Sequence, residues 1–315
     1  MTTASAPAKV ILLGEHAAVY GNPVLVAAVD LRTYAEVEKS KSGEFTLTNK
    51  STNIKNLKFR FSDLPGMKAG WATVLTAEAI EKTYGFLDLE KSDGLNIKLK
   101  SDIPVSSGLG SSASAASAMV LAIAEEFGRK ITKEEIAKIA WDIENIVHGK
   151  SSGVDPFAVT HGGVIRYRKG EGKTVRVKRY PDITIAHTGI RSDTKESVAE
   201  VMKLKDEFPL FFGNYLKAMR DVVDSGQRAL ENGDLEMLGK SMNICHGMLS
   251  SIGVSCAELD GLVWAARKKS QGAKLCGSGR GGIMMALGDV SNELKRAGGK
   301  VIKTEICEEG VRLED

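Results

Sequence analysis

Cysteine is scarce in this 315-residue chain: four residues, Cys245, Cys256, Cys276 and Cys307, none of them forming a Cys-x-x-Cys pair. That spacing argues against a zinc knuckle, a dithiol redox motif and a disulfide framework, and favours reduced thiols. Charge of one sign is lacking too. Forty-three lysines and arginines against 40 aspartates and glutamates leave a net charge of +3, too little for a dedicated nucleic-acid binder. No stretch reaches about 18 uninterrupted apolar residues, so no membrane partner is expected. Met1 to Val10 holds a lysine and a proline where a secretory signal needs a continuous apolar core, and a cytoplasmic location is the expectation. Internal repeats, low-complexity tracts and long charge blocks are likewise absent. The composition, 43% hydrophobic and 26% charged, is that of an ordinary globular protein, and the length suits two domains or one large one.

Periodicity organises the chain as mixed α and β. Short apolar runs and alternation from Ala8 to Thr48 read as strands, and residues 65 to 84, opened by Pro65 and closed by Gly85, carry helical spacing. Leu95, Ile97 and Leu99 alternate as a half-buried strand. An alanine-rich helix over about 111–127 follows, then one from Thr132 to about His148, whose Thr-Lys-Glu-Glu start fits a capping box. Val164 to Arg168 and Thr174 to Tyr180 read as a strand pair, with a domain boundary at Pro181. The expected domains are 1–181 and 182–315. The second opens on a strand at Ile183–His187, continues through four helices (about 193–206, 210–231, 234–250 and 255–270), and closes with strand, glycine loop, strand, short helix and strand.

The main chemical feature stands between a strand and a helix: Ile103-Pro104-Val105-Ser106-Ser107-Gly108-Leu109-Gly110-Ser111-Ser112-Ala113. A helix start offers unpaired N–H groups and a partial positive charge, so glycines that let an anion approach make a phosphate cradle. A Gly-Ser loop with a serine N-cap is the plainer alternative for an arbitrary sequence; the strand, loop, helix order favours phosphate. The loop has neither the Gly-Lys-Ser/Thr ending of a Walker loop nor the Gly-x-Gly-x-x-Gly of dinucleotide binders.

Its order, Pro-x-x-x-Gly-Leu-Gly-Ser-Ser-Ala, resembles the nucleotide loop of the GHMP kinases, a superfamily of small-molecule kinases. Two further segments resemble that superfamily's other motifs in the same order: Pro7-Ala8-Lys9 through Gly14-Glu15-His16, and Lys274-Leu275-Cys276-Gly277-Ser278-Gly279-Arg280-Gly281-Gly282. In the last, serine stands for a usual alanine and arginine for a usual glycine. The loop is expected to survive this, with Arg280 reaching either a phosphate or solvent. Glu144-Asn145-Ile146-Val147-His148-Gly149-Lys150-Ser151-Ser152-Gly153-Val154-Asp155 is similar to a segment of the mevalonate kinase branch, with Ser151 replacing a proline.

The resemblance implies an α+β, two-domain GHMP kinase fold, with a first domain like the second domain of ribosomal protein S5 and a ferredoxin-like second domain. It implies ATP as co-substrate, Mg²⁺ as cofactor and mevalonate as the phosphoryl acceptor; a homodimer is compatible with the sequence. Nucleotide contacts are implied for Pro104, Ser106, Ser107, Gly108, Leu109, Gly110, Ser111, Ser112 and Ala113. Mg²⁺ would fall to Ser112 and Glu144, general-base or orienting work to Asp155 beside Lys9, and substrate binding to Glu15, His16 and Thr194. Each residue also has a plainer role. Glu144 and His148 could be an i,i+4 surface pair, Asp155 a cap before Pro156, His16 a structural hydrogen-bonder and Thr194 an N-cap or first-turn residue. Lys9, among Val10, Ile11, Leu12 and Leu13, must snorkel or find a partner. The rival functions are a sister kinase acting on phosphomevalonate, a sugar or homoserine, and a non-catalytic nucleotide-binding regulator.

Overall fold

The computed structural model describes every residue except Lys68, Ala69, Val105, Ser106 and Lys150. Its first part contains strands β1 (Thr2–Leu13), β2 (Val24–Lys39), β3 (Phe45–Asn49), β4 (Ile54–Phe59) and β5 (Leu95–Ser101). With them are helices α1 (Trp71–Leu87), α2 (Ser111–Glu126), α3 (Lys133–His148) and α4 (Val154–His161), then β6 (Val164–Arg168) and β7 (Glu171–Thr174). β8 (Ile183–His187) opens the second part. Helices α5 (Thr194–Glu207), α6 (Pro209–Asn232), α7 (Leu235–Ser251) and α8 (Ala257–Arg267) follow, then β9 (Ala273–Cys276), β10 (Ile283–Leu287), α9 (Ser291–Arg296) and β11 (Lys300–Ile302). A short β12 (Arg312–Leu313) comes last.

The first sheet runs β12-β1-β2-β5-β3-β4, with β6 beside β2 and β7 beside β6. All its pairings are antiparallel except β3 with β5. The second sheet, β11-β8-β10-β9, is wholly antiparallel, and its strand order in a β-α-β-β-α-β succession is the ferredoxin-like arrangement. The chain then leaves β11 and returns to the first sheet. Ile306 bridges Val29, and Ala4 and Ser5 pair with Leu313 and Arg312.

Alternation along β1 decides what faces what. After a register shift between Pro7 and Ala8, Val10 and Leu12 enter a core shared with Met219 and Val223 of α6 and with Leu275 and Met284 of the second sheet. Lys9 and Ile11 point the other way, until a second register shift after Ile11 returns Leu13 to the same core. Ile11 accordingly packs with Val154 and Ala158 of α4, and Lys9 is turned toward the start of the same helix.

Local signals place most elements correctly. The capping box at Thr132 is present, its hydroxyl accepting from the Glu135 amide while Glu135 reaches back to the Thr132 N–H. Two boundaries differ from expectation. Pro65 lies in a 3₁₀ turn (Phe61–Gly66), and α1 starts only at Trp71, after Gly70 at φ 86°; Gly85 does not end it, and the left-handed Asp88 does. The segment Thr174 to Tyr180 is not a strand: its partner to β6 is β7, and pairing is nearly exhausted once the Val175 N–H meets the Val164 carbonyl at 2.8 Å.

Candidate active site

The glycine loop delivers an uncapped helix start. Gly110 is the N-cap of α2 at φ 77°, and no described side chain caps it. The amides of Ser111, Ser112 and Ala113 therefore lack intrahelical partners. Ser107 closes the loop on itself by donating to the Pro104 carbonyl at 2.7 Å, and Leu109 is buried. The Leu109 carbonyl accepts from the Lys9 N–H at 2.9 Å, which ties the loop to β1. Gly108 is open to solvent, Ser111 and Ser112 are half-buried, and Ala113 is fully buried in the helix packing. Ser106, assigned to the nucleotide, lies outside the described residues. Beside the loop is an apolar pocket lined by Asn49, Trp71, Leu99, Ile103 and Ser111.

Lys9 finds its partner in Asp155, Nζ to Oδ1 at 3.1 Å; the lysine is buried, the aspartate half-exposed. Asp155 is not the cap of α4. That position belongs to Gly153 in the left-handed conformation, which leaves the carboxylate free to face Lys9. Gly110 is required at the contact. A Cβ there would sit 3.0 Å from Lys9 Cγ and 3.5 Å from Asp155 Oδ2, on a backbone that L-residues resist. Gly110→Ala should therefore cost about 1–2 kcal/mol for the backbone alone and dislodge Lys9. Chemical denaturation together with steady-state kinetics checks this, and unchanged stability and turnover would count against the packing described.

Glu144 is buried on the inner face of α3 and accepts from the Ser151 hydroxyl at 2.7 Å. That serine does more than fill a turn. Its oxygen also accepts from the Gly153 N–H at 3.2 Å, its own N–H donates to Asn145 at 2.8 Å, and its carbonyl accepts from Trp141 at 3.2 Å. The hydrogen bonds hold the turn in which a proline was absent. Burial, then the nearby Asp155 charge, push the Glu144 carboxyl up to about 8, against the pull of Ser151 and Lys9. Ser112 Oγ is buried with no partner among the described residues. A hydroxyl without a partner and a buried carboxyl with no ion-pair partner among the described residues are what a hard cation would satisfy. Among the described residues no cluster of three His, Cys, Asp or Glu side chains could hold a metal.

Because the folded value of Glu144 is raised, the free protein binds an extra proton relative to the unfolded chain between about pH 4.5 and 8. Stability should be fullest below this window and decline as pH rises through it. Glu144→Gln should flatten the decline and melt higher than wild type at pH 8, as thermal melts of metal-free protein at pH 5 and 8 would register.

The remaining contacts come from the second part of the chain. His16, buried and at φ 57°, donates from Nε2 to the Ser278 carbonyl at 3.0 Å. Burial lowers its pKa, partly countered by this bond, so the neutral ring presents Nδ1 as an acceptor. Thr194 is the first residue of α5, capped by Asp193 rather than itself a cap, and its hydroxyl donates to Ser278 at 3.2 Å. At the end of α3, burial lowers the His148 pKa, opposed by the Asp155 charge and assisted by that of Lys195.

Glu15 has partners within the protein. It is buried in an ion pair with Lys274, itself fully buried, whose ammonium also donates to the Ile11 carbonyl at 3.3 Å. The other Glu15 oxygen accepts from the Cys245 thiol at 3.6 Å. Both carboxylate oxygens are thus engaged within the protein, and the side chain is almost wholly buried. The glycine loop at Gly277–Gly282 survives Arg280, which takes φ 55°, donates from Nε to the Gly253 carbonyl at 3.3 Å and lies 3.6 Å from Glu196. Sequence reasoning missed Lys274 as the partner of Glu15, and Ser278 as the link between His16 and Thr194. Only a buried lysine in an apolar strand could have signalled the first, and no local pattern signals the second.

Models of the GHMP kinase N-terminal and C-terminal domains match residues 72–163 and 227–304. Together with the relatives below, this places the chain in the GHMP kinase family, with its two-domain fold. A mevalonate kinase of Thermococcus sibiricus is 39% identical over 99% of this chain and 98% of its own length. The solved mevalonate kinase of Methanococcus jannaschii superposes with a TM-score of 0.86 at 27% identity, covering 96% of this chain and 98% of the other. That of L. major, in complex with R-mevalonate, gives 0.81 at 29% identity, covering 98% and 97%. No helix among the described residues is long and apolar enough to cross a membrane.

Proposed function

We infer that the chain is a mevalonate kinase, transferring the γ-phosphoryl group of ATP to the 5-hydroxyl of mevalonate. The observation that carries this is the Lys9–Asp155 pair at 3.1 Å directly beneath Gly110. It sets a base and a cation against an uncapped helix start. Phosphoryl transfer asks little covalent work of a protein; it needs positioning and charge stabilisation. The free amides at Ser111 to Ala113 bind phosphate oxygens, and the pocket beside Trp71 takes the nucleotide base. Asp155 orients the acceptor hydroxyl and accepts its proton as the oxygen attacks phosphorus. Lys9 stabilises the charge that develops on the transferring group. His16 Nδ1 and Thr194 receive hydrogen bonds from the acceptor's hydroxyls.

Ser112 and Glu144 would hold Mg²⁺, and the ion would neutralise charge on the β- and γ-phosphates. The site fits a metal that keeps water and phosphate ligands of its own. ADP release measured with mevalonate, phosphomevalonate, galactose and homoserine tests the assignment. Turnover should be confined to mevalonate; preference for another acceptor would overturn it.

A further inference from the structure

The loop Gly277–Gly282 touches two other segments at one residue. The Ser278 carbonyl accepts from His16, and its hydroxyl lies 2.7 Å from Ser192 Oγ and 3.2 Å from Thr194 Oγ1. Each hydroxyl has one proton to give. Ser192 gives its proton to the Gly279 carbonyl and Thr194 gives its own to Ser278, so Ser278 donates to Ser192. The direction is fixed by the carbonyl at the end, which can only accept. A chain runs Thr194, Ser278, Ser192, Gly279, and it leaves the exposed Thr194 hydroxyl with acceptor capacity alone.

Main-chain bonds already fasten the two segments further along: the Thr188 N–H to the Gly282 carbonyl at 2.9 Å, and the Gly282 N–H to the Ile190 carbonyl at 2.8 Å. The serine hydroxyl therefore adds little to holding the loop in place. What it adds is the aim of Thr194 and its distance from His16. Alanine, the residue that the resembled loop carries here, could not make this link.

We propose that Ser278 is a positioning residue for the phosphoryl acceptor: its hydroxyl fixes Thr194 beside His16 and turns acceptor lone pairs toward a hydroxyl of the bound substrate. This rests on the kinase reading given above. It makes the second part of the chain a reader of hydroxyl donors on the acceptor.

The test is Ser278→Ala beside Ser278→Thr, with KM for acceptor and for ATP, kcat, and amide hydrogen exchange across residues 188–197. Loss of one hydrogen bond at a binding site is worth roughly a three- to tenfold change. Ser278→Ala should raise KM for the acceptor by about that factor, leave KM for ATP and kcat within about twofold, and speed exchange at 192–195. Ser278→Thr, which keeps the hydroxyl, should restore both. The alanine and Ser192→Ala together should do little more than either alone, since each breaks the same chain. An unchanged acceptor KM in Ser278→Ala overturns the proposal, and so does an equal rise in KM for ATP. Should the wild type prefer an acceptor other than mevalonate, the substrate assignment fails, while the Ser278 effect is still read on whichever acceptor turns over.

Discussion

Asp155→Asn should lower kcat by about 10²- to 10⁴-fold, the usual contribution of a positioned general base, with affinity for ATP nearly unchanged. The amide keeps the size of the side chain and an oxygen that can accept from Lys9, so the 3.1 Å contact and the start of α4 need not move. What it cannot do is take a proton. The loss should fall on kcat and on kcat/KM alike, the pattern of an interaction realised only as the reaction proceeds. Steady-state kinetics with titration of an ATP analogue separates the two terms. Turnover within a few-fold of wild type would remove Asp155 from the chemistry. A matching loss of nucleotide affinity would mean that the change had disturbed the loop at Gly110.

The largest effect on stability is expected at Lys274. Lys274→Met leaves Glu15 as a carboxylate with almost no exposure and no cation beside it. Breaking a buried pair from one side costs about 3–5 kcal/mol, because the remaining charge is desolvated without compensation. Lys274→Met combined with Glu15→Gln should recover much of that loss, since the charge itself is gone. Denaturant unfolding of the two singles and the double forms the required cycle. If the double is as unstable as the sum of the singles, the pair is not acting as a unit.

How much of this was legible in the sequence differs from place to place for physical reasons. The loop at Gly108–Ser112 and the capping box at Thr132 depend on local patterns and were readable, whereas the ferredoxin-like second sheet was implied only by resemblance, because strand order is not a local property. Lys9 carried its own signal, since a lysine in an apolar strand demands a partner; Asp155 was implied by resemblance, and the structure puts the two together. Glu15 carried none. Its partner is 259 positions away, and only packing of β9 against β1 reveals that the carboxylate is spoken for. The start of α1 was misplaced because Pro65 looks like a helix opening, whereas Gly70 five residues later sets the true one. The tail after β11 was also silent: Arg312 and Leu313 make a strand too short for periodicity to mark.

That tail has a consequence for how the protein is made. The edge of the first sheet at β1 is completed by residues synthesised some 300 positions later, with Arg32 bonded to the Gly310 carbonyl and the Val311 N–H to Thr160 at the end of α4. During translation the nascent first domain must therefore wait with an unpaired strand edge, the kind of surface that invites aggregation and chaperone capture. Emergence of residues 306–313 from the ribosome closes that edge and buttresses the helix that carries Asp155. Catalytic competence should thus arrive late and abruptly in the life of each new chain.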